Sequence, residues 1–227
     1  DYHDPANRRF HAQPTACSKC GPQLSDSMDA IVQQIQSGKI LAIKGLGGYQ
    51  LICDARNDIA VLALRRRKQR LSKPFALMAL NLETIDKIGL VSQQEKALLA
   101  DRAAPIVLLS KKNDIVSSYI APGLTHLGFM LPYTPLHYLI FHALAGYPKG
   151  VNWLNEYLPY VLVVTSANAS GNPLVFEDEI AKIELKAIAD TIVTYNRHIV
   201  TRLDDSVIRI IHDHPVFIRR ARGFVPE

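Results

Sequence analysis

Leu162-Val163-Val164-Thr165 runs without a break into Ser166-Ala167-Asn168-Ala169-Ser170-Gly171-Asn172-Pro173, so that four apolar or β-branched residues meet a crowd of small hydrogen-bonding ones. The pattern predicts a buried strand that delivers polar groups to the end of a sheet. In open α/β sheets ligands sit at strand ends, which places Ser166 and Asn168 to hold a small molecule. Ser, Asn and Gly are also turn formers, and taken alone the segment reads more simply as a strand leaving for a turn.

A second segment shifts that balance. Arg65-Arg66-Arg67-Lys68-Gln69-Arg70-Leu71-Ser72-Lys73-Pro74 leads a basic run directly into the apolar Phe75-Ala76-Leu77-Met78. Most basic runs are solvated helix faces, and Arg65, Arg66 and Arg67 are accounted for as cations offsetting the dipole of a helix's last turn. Pro74 stops that helix and holds Lys73 extended. The last cations are thereby fixed at the start of a strand, where they suit phosphates.

From Ser25 onward helices and strands interleave. Ser25-Asp26 caps a helix carrying Met28, Ile31, Val32 and Ile35 on one face, ended by Gly38. Strands at 40–43 and 49–53 flank Gly45-Leu46-Gly47-Gly48. No helix follows these glycines directly, so they match neither a dinucleotide fingerprint nor a P-loop, and they read as a tight hairpin-like turn. Asn57 or Asp58 starts a second helix with Ile59, Leu62 and Leu64 inward. Asn81 and Ser92 start two more, the latter with a Ser92…Glu95 capping box, and Pro135 opens a short helix. Strands are expected at 75–80, 106–109, 126–131, 191–195, 207–211 and 215–219, and a helix at 177–189. The excursion 146–157 holds the only tryptophan, Trp153, read as a packed loop anchor. The irregular alternation predicts an α/β fold, α+β in some schemes, in which helices flank a mixed, twisted sheet.

The 227 residues suffice for one medium domain with a substantial core. No apolar run reaches membrane-spanning length and no signal peptide is present, which predicts a cytoplasmic protein. The net charge of +5 is modest but clustered at 65–73 and 219–222, as suits nucleotide phosphates, RNA or acidic protein surfaces. Three cysteines give no disulfide framework. Cys53 lies in an apolar run and reads as core, whereas Cys17-x-x-Cys20 has the spacing of half a zinc site, with no second C-x-x-C to complete it. Residues 1–24 are polar and aperiodic, an appendage to a globular part at 25–227. The chain opens on Asp1 inside this apparent metal motif, which predicts a piece of a longer protein.

The two segments together resemble the YrdC-like family, whose K-x-R…K-P and S-x-N elements are matched by Lys68, Arg70, Lys73, Ser166 and Asn168. The resemblance extends over nearly the whole chain to the YrdC-like domain of the hydrogenase-maturation carbamoyltransferases, the HypF family. It is carried in order by Cys17-Ser18-Lys19-Cys20-Gly21-Pro22, Lys44-Gly45-Leu46-Gly47-Gly48-Tyr49, Cys53-Asp54-Ala55-Arg56-Asn57, Leu131-Pro132-Tyr133-Thr134-Pro135-Leu136-His137, Asp204-Asp205-Ser206-Val207 and Arg219-Arg220-Ala221-Arg222-Gly223. Residues 1–24 are similar to the tail of that family's zinc finger, with the missing ligands upstream, so Zn2+ at Cys17 and Cys20 is expected to be incomplete here.

The resemblance implies an open, concave ATP site and activation of carbamate or carbamoyl phosphate to carbamoyl-adenylate, with pyrophosphate leaving. Lys68, Arg70 and Lys73 are then expected on the phosphates, Ser166 and Asn168 on the nucleotide or acid, and Lys44 with the glycine turn near the carbamoyl group. Ser206 and Arg220 or Arg222 are expected to close the site. Asp205 suits Mg2+, although neighbouring residues of a strand face opposite ways, so at most one of Asp204 and Asp205 reaches the site. A salt bridge of one aspartate to Arg202 or Arg209 is the equal alternative. His212-x-His214 places two imidazoles on one strand face, without a third ligand. The implied partners are acylphosphatase-like and C-terminal transferase domains of the full-length protein and the maturation protein HypE, through its C-terminal cysteine. The related tRNA-modifying branch, which makes threonylcarbamoyl-adenylate, carries an arginine two residues before the proline where this chain has Met130. A double-stranded RNA-binding module is the alternative from another class; neither a membrane nor nucleic acid is the expected partner.

Overall fold

The computed structural model describes residues 2–10, 12, 17, 19, 21–169 and 171–226. Its elements follow in the order α1 (Met28–Gln36), β1 (Leu41–Lys44), β2 (Tyr49–Asp54), α2 (Asp58–Arg67), β3 (Ala76–Ala79), α3 (Leu82–Asp86), β4 (Gly89–Leu90), α4 (Gln93–Leu99), β5 (Ile106–Lys111), β6 (His126–Met130), α5 (Pro135–Leu144), β7 (Val161–Ser166), α6 (Asp178–Glu184), β8 (Thr191–Val193), β9 (Val207–Ile211) and β10 (His214–Arg219). Ten strands form one sheet in the order β10-β9-β5-β6-β3-β7-β2-β1-β8, with β4 beside the far end of β5. Pairs β1–β8, β3–β6 and β5–β9 are parallel and the rest antiparallel, so the sheet is mixed as expected.

Strand periodicity divides the core into two layers. Leu41, Ile43, Ile52, Met78, Leu162 and Val164 face α1 and α5, which contribute Ile31, Ile35, Ile140 and Phe141. The alternate residues Ala42, Leu51, Cys53, Leu77, Ala79 and Val163 face α2, α4 and α6. Cys53 is fully buried, and burial pushes its thiol up, away from the reactive thiolate.

Local chemistry sets most boundaries. Ser27, rather than Ser25-Asp26, caps α1, and Gly38 ends it at φ +78°. Asn57, Asn81 and Thr134 cap α2, α3 and α5, and Ser92 and Glu95 form the reciprocal capping box of α4. Ile59, expected inward, is 83% exposed, because the buried stripe of α2 is Ala60, Val61, Leu64 and Arg65. The helix expected over 177–189 spans only Asp178–Glu184. His212 lies in the β9–β10 turn at φ +48°, outside the strand that begins at His214, so the two imidazoles do not share a strand face. Trp153 packs against the α1/α5 core beside the His142 ring.

Candidate active site

β1 and β2 form the expected glycine hairpin, closed by the Gly45 N–H donating to the Gly48 carbonyl. Two glycines are required there by close approach. A Cβ on Gly47 would lie 2.5 Å from Leu203 Cβ, and one on Gly48 2.4 Å from Leu174 Cδ2. The hairpin, the end of β7 and the segment leading into β3 surround a cavity of about 460 Å³ on the sheet face beyond α5. Its floor includes Gln50, Ala76, Gly128 and Val164; Arg70, Lys73, Ser166, Asp204, Arg219 and Arg222 stand around it. A smaller cavity of about 300 Å³ adjoins it, lined by Lys68, Arg70, Lys73, Ser166 and Asn168 among others. Arg70, Lys73 and Ser166 line both.

The two segments singled out in the sequence are joined through Lys68. Its ammonium is 2% exposed and donates to the Ser166 carbonyl (2.7 Å), the Asn168 carbonyl (2.6 Å) and Asn168 Oδ1 (2.6 Å). The Ser166 hydroxyl also donates to Asn168 Oδ1, at 2.9 Å. Three acceptors match the three donors of an ammonium, and a neutral amine has only two. Burial first, then the charges of Arg70 and Lys73, push the Lys68 pKa down to about 7.

Arg65 shapes the loop that carries the other cations. Buried at the end of α2, its guanidinium donates to the carbonyls of Arg70, Leu71, Lys73, Tyr119 and Ile120 and lies over the Phe75 ring. Assigning it to the helix dipole alone missed this role, whose only sequence signal is a cation preceding a proline-stopped loop with carbonyls to bind. Arg70 donates to the Lys73 and Pro74 carbonyls and reaches Thr165 Oγ1 at 3.5 Å. Burial, Arg65 and Arg219 push Arg70 down to about 10; burial, Arg70 and Arg219 likewise lower Lys73. The exposed Lys73 ammonium has no hydrogen-bond or ion-pair partner among the described residues. Cations that depress one another around a cavity favour an anionic occupant.

Other expected site residues lie elsewhere. Lys44 is 1% exposed and lines neither cavity. It pairs with Asp178 at 2.7 Å and donates to the Tyr195 carbonyl, bracing the hairpin from behind, while the Tyr49 hydroxyl donates to the same carboxylate. Ser206 is fully buried; its hydroxyl accepts the Ala221 N–H and donates to the Arg222 carbonyl, so it fastens the last segment rather than facing a ligand. Arg220 lies over Phe217 and lines neither cavity. Arg222 does line the larger one, but its guanidinium is committed to Asp205 (2.9 Å), the Ala103 and Ala104 carbonyls and the Tyr133 ring.

Asp204 and Asp205 precede β9 and both line the cavity, against the expectation that only one reaches it, because they lie in irregular backbone. Their partners are Arg219 and Arg222, not Arg202 or Arg209. Asp205 is engaged by Arg222, and among the described residues no group of three or more His, Cys, Asp or Glu side chains stands together, so a Mg2+ here would rely on Asp204, Asp205 and the phosphates of a bound nucleotide. For zinc, no such group among the described residues includes Cys17, and Cys20 lies outside them. Among the described residues no helix is long and apolar enough to cross a membrane.

Residues 33–221 match the Sua5/YciO/YrdC family model, described as Telomere recombination, and residues 1–25 match the HypF finger. The chain belongs to the Sua5/YciO/YrdC family. It is 46% identical to the carbamoyltransferase HypF of Rhodobacter capsulatus, over 100% of this chain and 30% of that protein. Identity to carbamoyltransferase HypF2 of Cupriavidus necator is 48%, over 89% of this chain and 26% of that one. A crystal structure of full-length HypF in the phosphate- and nucleotide-bound form superimposes with a TM-score of 0.84 at 43% identity, covering 99% of this chain and 29% of that chain. This chain therefore spans about a third or less of the length of these relatives.

Proposed function

We propose that this family member activates carbamate with ATP, forming carbamoyl-adenylate and releasing pyrophosphate, as one step of the carbamoyl transfer that matures nickel-iron hydrogenase. The observation that carries the reading is the convergence of Lys68, Arg70 and Lys73 with Ser166 and Asn168 on one pair of joined cavities. A triphosphate relieves the mutual repulsion of these cations. In the reaction an acid oxygen attacks the α-phosphorus in line, the bond to the β-phosphate oxygen breaks, and the electron pair leaves with pyrophosphate. Alignment and charge neutralisation suffice, and no covalent nucleophile is required. Arg70 and Lys73 neutralise, and Lys68 holds the Ser166–Asn168 loop in place.

The carbamoyltransferase names of the relatives and the nucleotide-bound form of the HypF structure support this choice. Met130, where the threonylcarbamoyl branch has an arginine, is fully buried in the α1/α5 core, which disfavours a threonine carboxylate partner. In this reading the carbamoyl group passes to the C-terminal transferase domain of a full-length protein and on to the HypE cysteine, in the cytoplasm, and the N-terminal Cys17-x-x-Cys20 belongs to a zinc finger completed by upstream ligands. The test is exchange of labelled pyrophosphate into ATP in ammonium bicarbonate, which supplies carbamate in solution. Exchange that needs both ammonium and bicarbonate supports the proposal. Exchange that needs threonine instead, or none with ATP demonstrably bound, refutes it.

A further inference from the structure

Behind the cation-lined rim, a directional chain of hydrogen bonds ends in one buried donor that no described residue uses. Asp205 accepts from Arg222 Nη2 at 2.9 Å and from its Nε at 3.2 Å. The Tyr133 hydroxyl, turned to Asp205, therefore donates there and accepts from Gln50 Nε2. Gln50 Oε1 in turn accepts from His137 Nε2, at 3.0 Å, and His137 Nδ1 accepts the Tyr133 N–H, at 3.5 Å. Burial and Arg222 push His137 down to about 3, so the ring stays neutral and keeps that tautomer. The polarity of the whole chain thus turns the Gln50 amide so that one N–H meets Tyr133 and the other is left over. Gln50 is 8% exposed and lines the larger cavity, and no described residue accepts its second hydrogen. A buried donor without a partner is costly, and a ligand oxygen in the cavity removes the cost.

The position of this donor fits one reactant. Gln50 is the direct cross-strand partner of Ser166, the residue that lines both cavities, and their side chains lie on the same sheet face about 5 Å apart in strand spacing. The adjoining wall is closed by Leu174 and Leu203, seated on Gly48 and Gly47 without room for a Cβ. We propose that Gln50, oriented by His137 and Tyr133, is the specificity-determining contact of a subsite for a planar one-carbon acid, carbamate or its isostere bicarbonate, held beside the α-phosphate. The proposal rests on the adenylation reading for its reactant and on the hydrogen-bond chain for its place. A donor suits an acid oxygen.

The test follows the Gln50 side-chain amide by nitrogen-15 NMR in the 227-residue chain while bicarbonate is added with ATP present. Bicarbonate is expected to shift that resonance saturably, and Gln50→Glu and Gln50→Met are expected to weaken bicarbonate binding at least about tenfold while leaving the ATP dissociation constant within about twofold. His137→Phe, which frees the amide to turn over, is expected to weaken bicarbonate and not ATP. An amide resonance that bicarbonate leaves unmoved, or a Gln50→Met chain that loses ATP as severely as Lys68→Met, overturns the proposal. Absence of carbamate-dependent pyrophosphate exchange with the bicarbonate shift intact supports this subsite and removes the adenylation reading.

Discussion

Lys68→Met is the most informative single substitution. The wild-type ammonium makes three short bonds, to the Ser166 carbonyl, the Asn168 carbonyl and Asn168 Oδ1, from an almost fully buried position. Methionine keeps the stem's volume and removes both the charge and all three donors. Bonds from a charged donor are worth roughly 1.5–3 kcal/mol each, but the cost of burying the ammonium also disappears. The net loss of folding stability is therefore expected to be only about 1–3 kcal/mol. Nucleotide binding suffers more. It loses the fixed position of the Ser166–Asn168 loop, which Lys68 ties to Arg70 and Lys73, and a positive charge beside the phosphate cavity, together ~1.5–3 kcal/mol or about ten- to hundredfold. The assay is calorimetric titration with ATP, beside urea unfolding on the same sample. Lys68→Arg, which keeps the charge in a planar fork unable to meet three converging acceptors, is expected to fall between the two. A Lys68→Met chain that stays folded and binds ATP within about twofold of wild type refutes the reasoning.

The same lysine sets a pH dependence. Below its folded pKa of about 7 the amine is protonated in folded and unfolded chains alike and its burial penalty is fully present; between about 7 and the ordinary 10.5 only the unfolded chain holds the proton, so this group makes stability rise with pH across that window, as urea midpoints will register. Phosphates favour the ammonium, so ATP binding near pH 8 is expected to take up protons, read as a dependence of binding heat on the buffer's ionisation enthalpy, and to weaken toward pH 9. Arg65→Gln removes the clasp on the carbonyls of residues 70, 71 and 73 without touching the larger cavity, and is expected to weaken ATP by about tenfold and lower the urea midpoint. Gly48→Ala brings a methyl to 2.4 Å from Leu174, for an expected loss of about 1–3 kcal/mol in urea unfolding, with pyrophosphate exchange reduced as the hairpin shifts.

What could be read in the sequence divides along physical lines. The glycine hairpin, the caps at Asn57, Asn81 and Ser92, and the strand running into Ser166 are local features, and the structure contains them. The pairing of a basic loop with the Ser166–Asn168 loop was legible from the residue types of the two segments, although α2 ends at Arg67, with Gln69 at φ +51°, well before the proline expected to stop it. What was not legible depends on partners far along the chain. Lys44 finds Asp178 134 residues away, and Gln50 meets Tyr133 and His137 at separations of 83 and 87. Alternation at Asp204-Asp205 misled because those residues are not on a strand, and helical periodicity misled at Ile59 because Arg65 belongs to the buried stripe. Ser206 has the residue type of a ligand contact, yet its hydroxyl is spent on Ala221 and Arg222, a pairing set by the final hairpin.

The central claim is that two remote segments grip one triphosphate, and a double-mutant cycle in ATP affinity between Lys73 and Asn168 tests it most directly. Lys73→Ala and Asn168→Ala are each expected to weaken ATP about tenfold, with a coupling energy above roughly 0.5 kcal/mol in the double variant. Either single variant binding ATP as wild type does contradicts the account, because the corresponding segment then takes no part in holding the nucleotide.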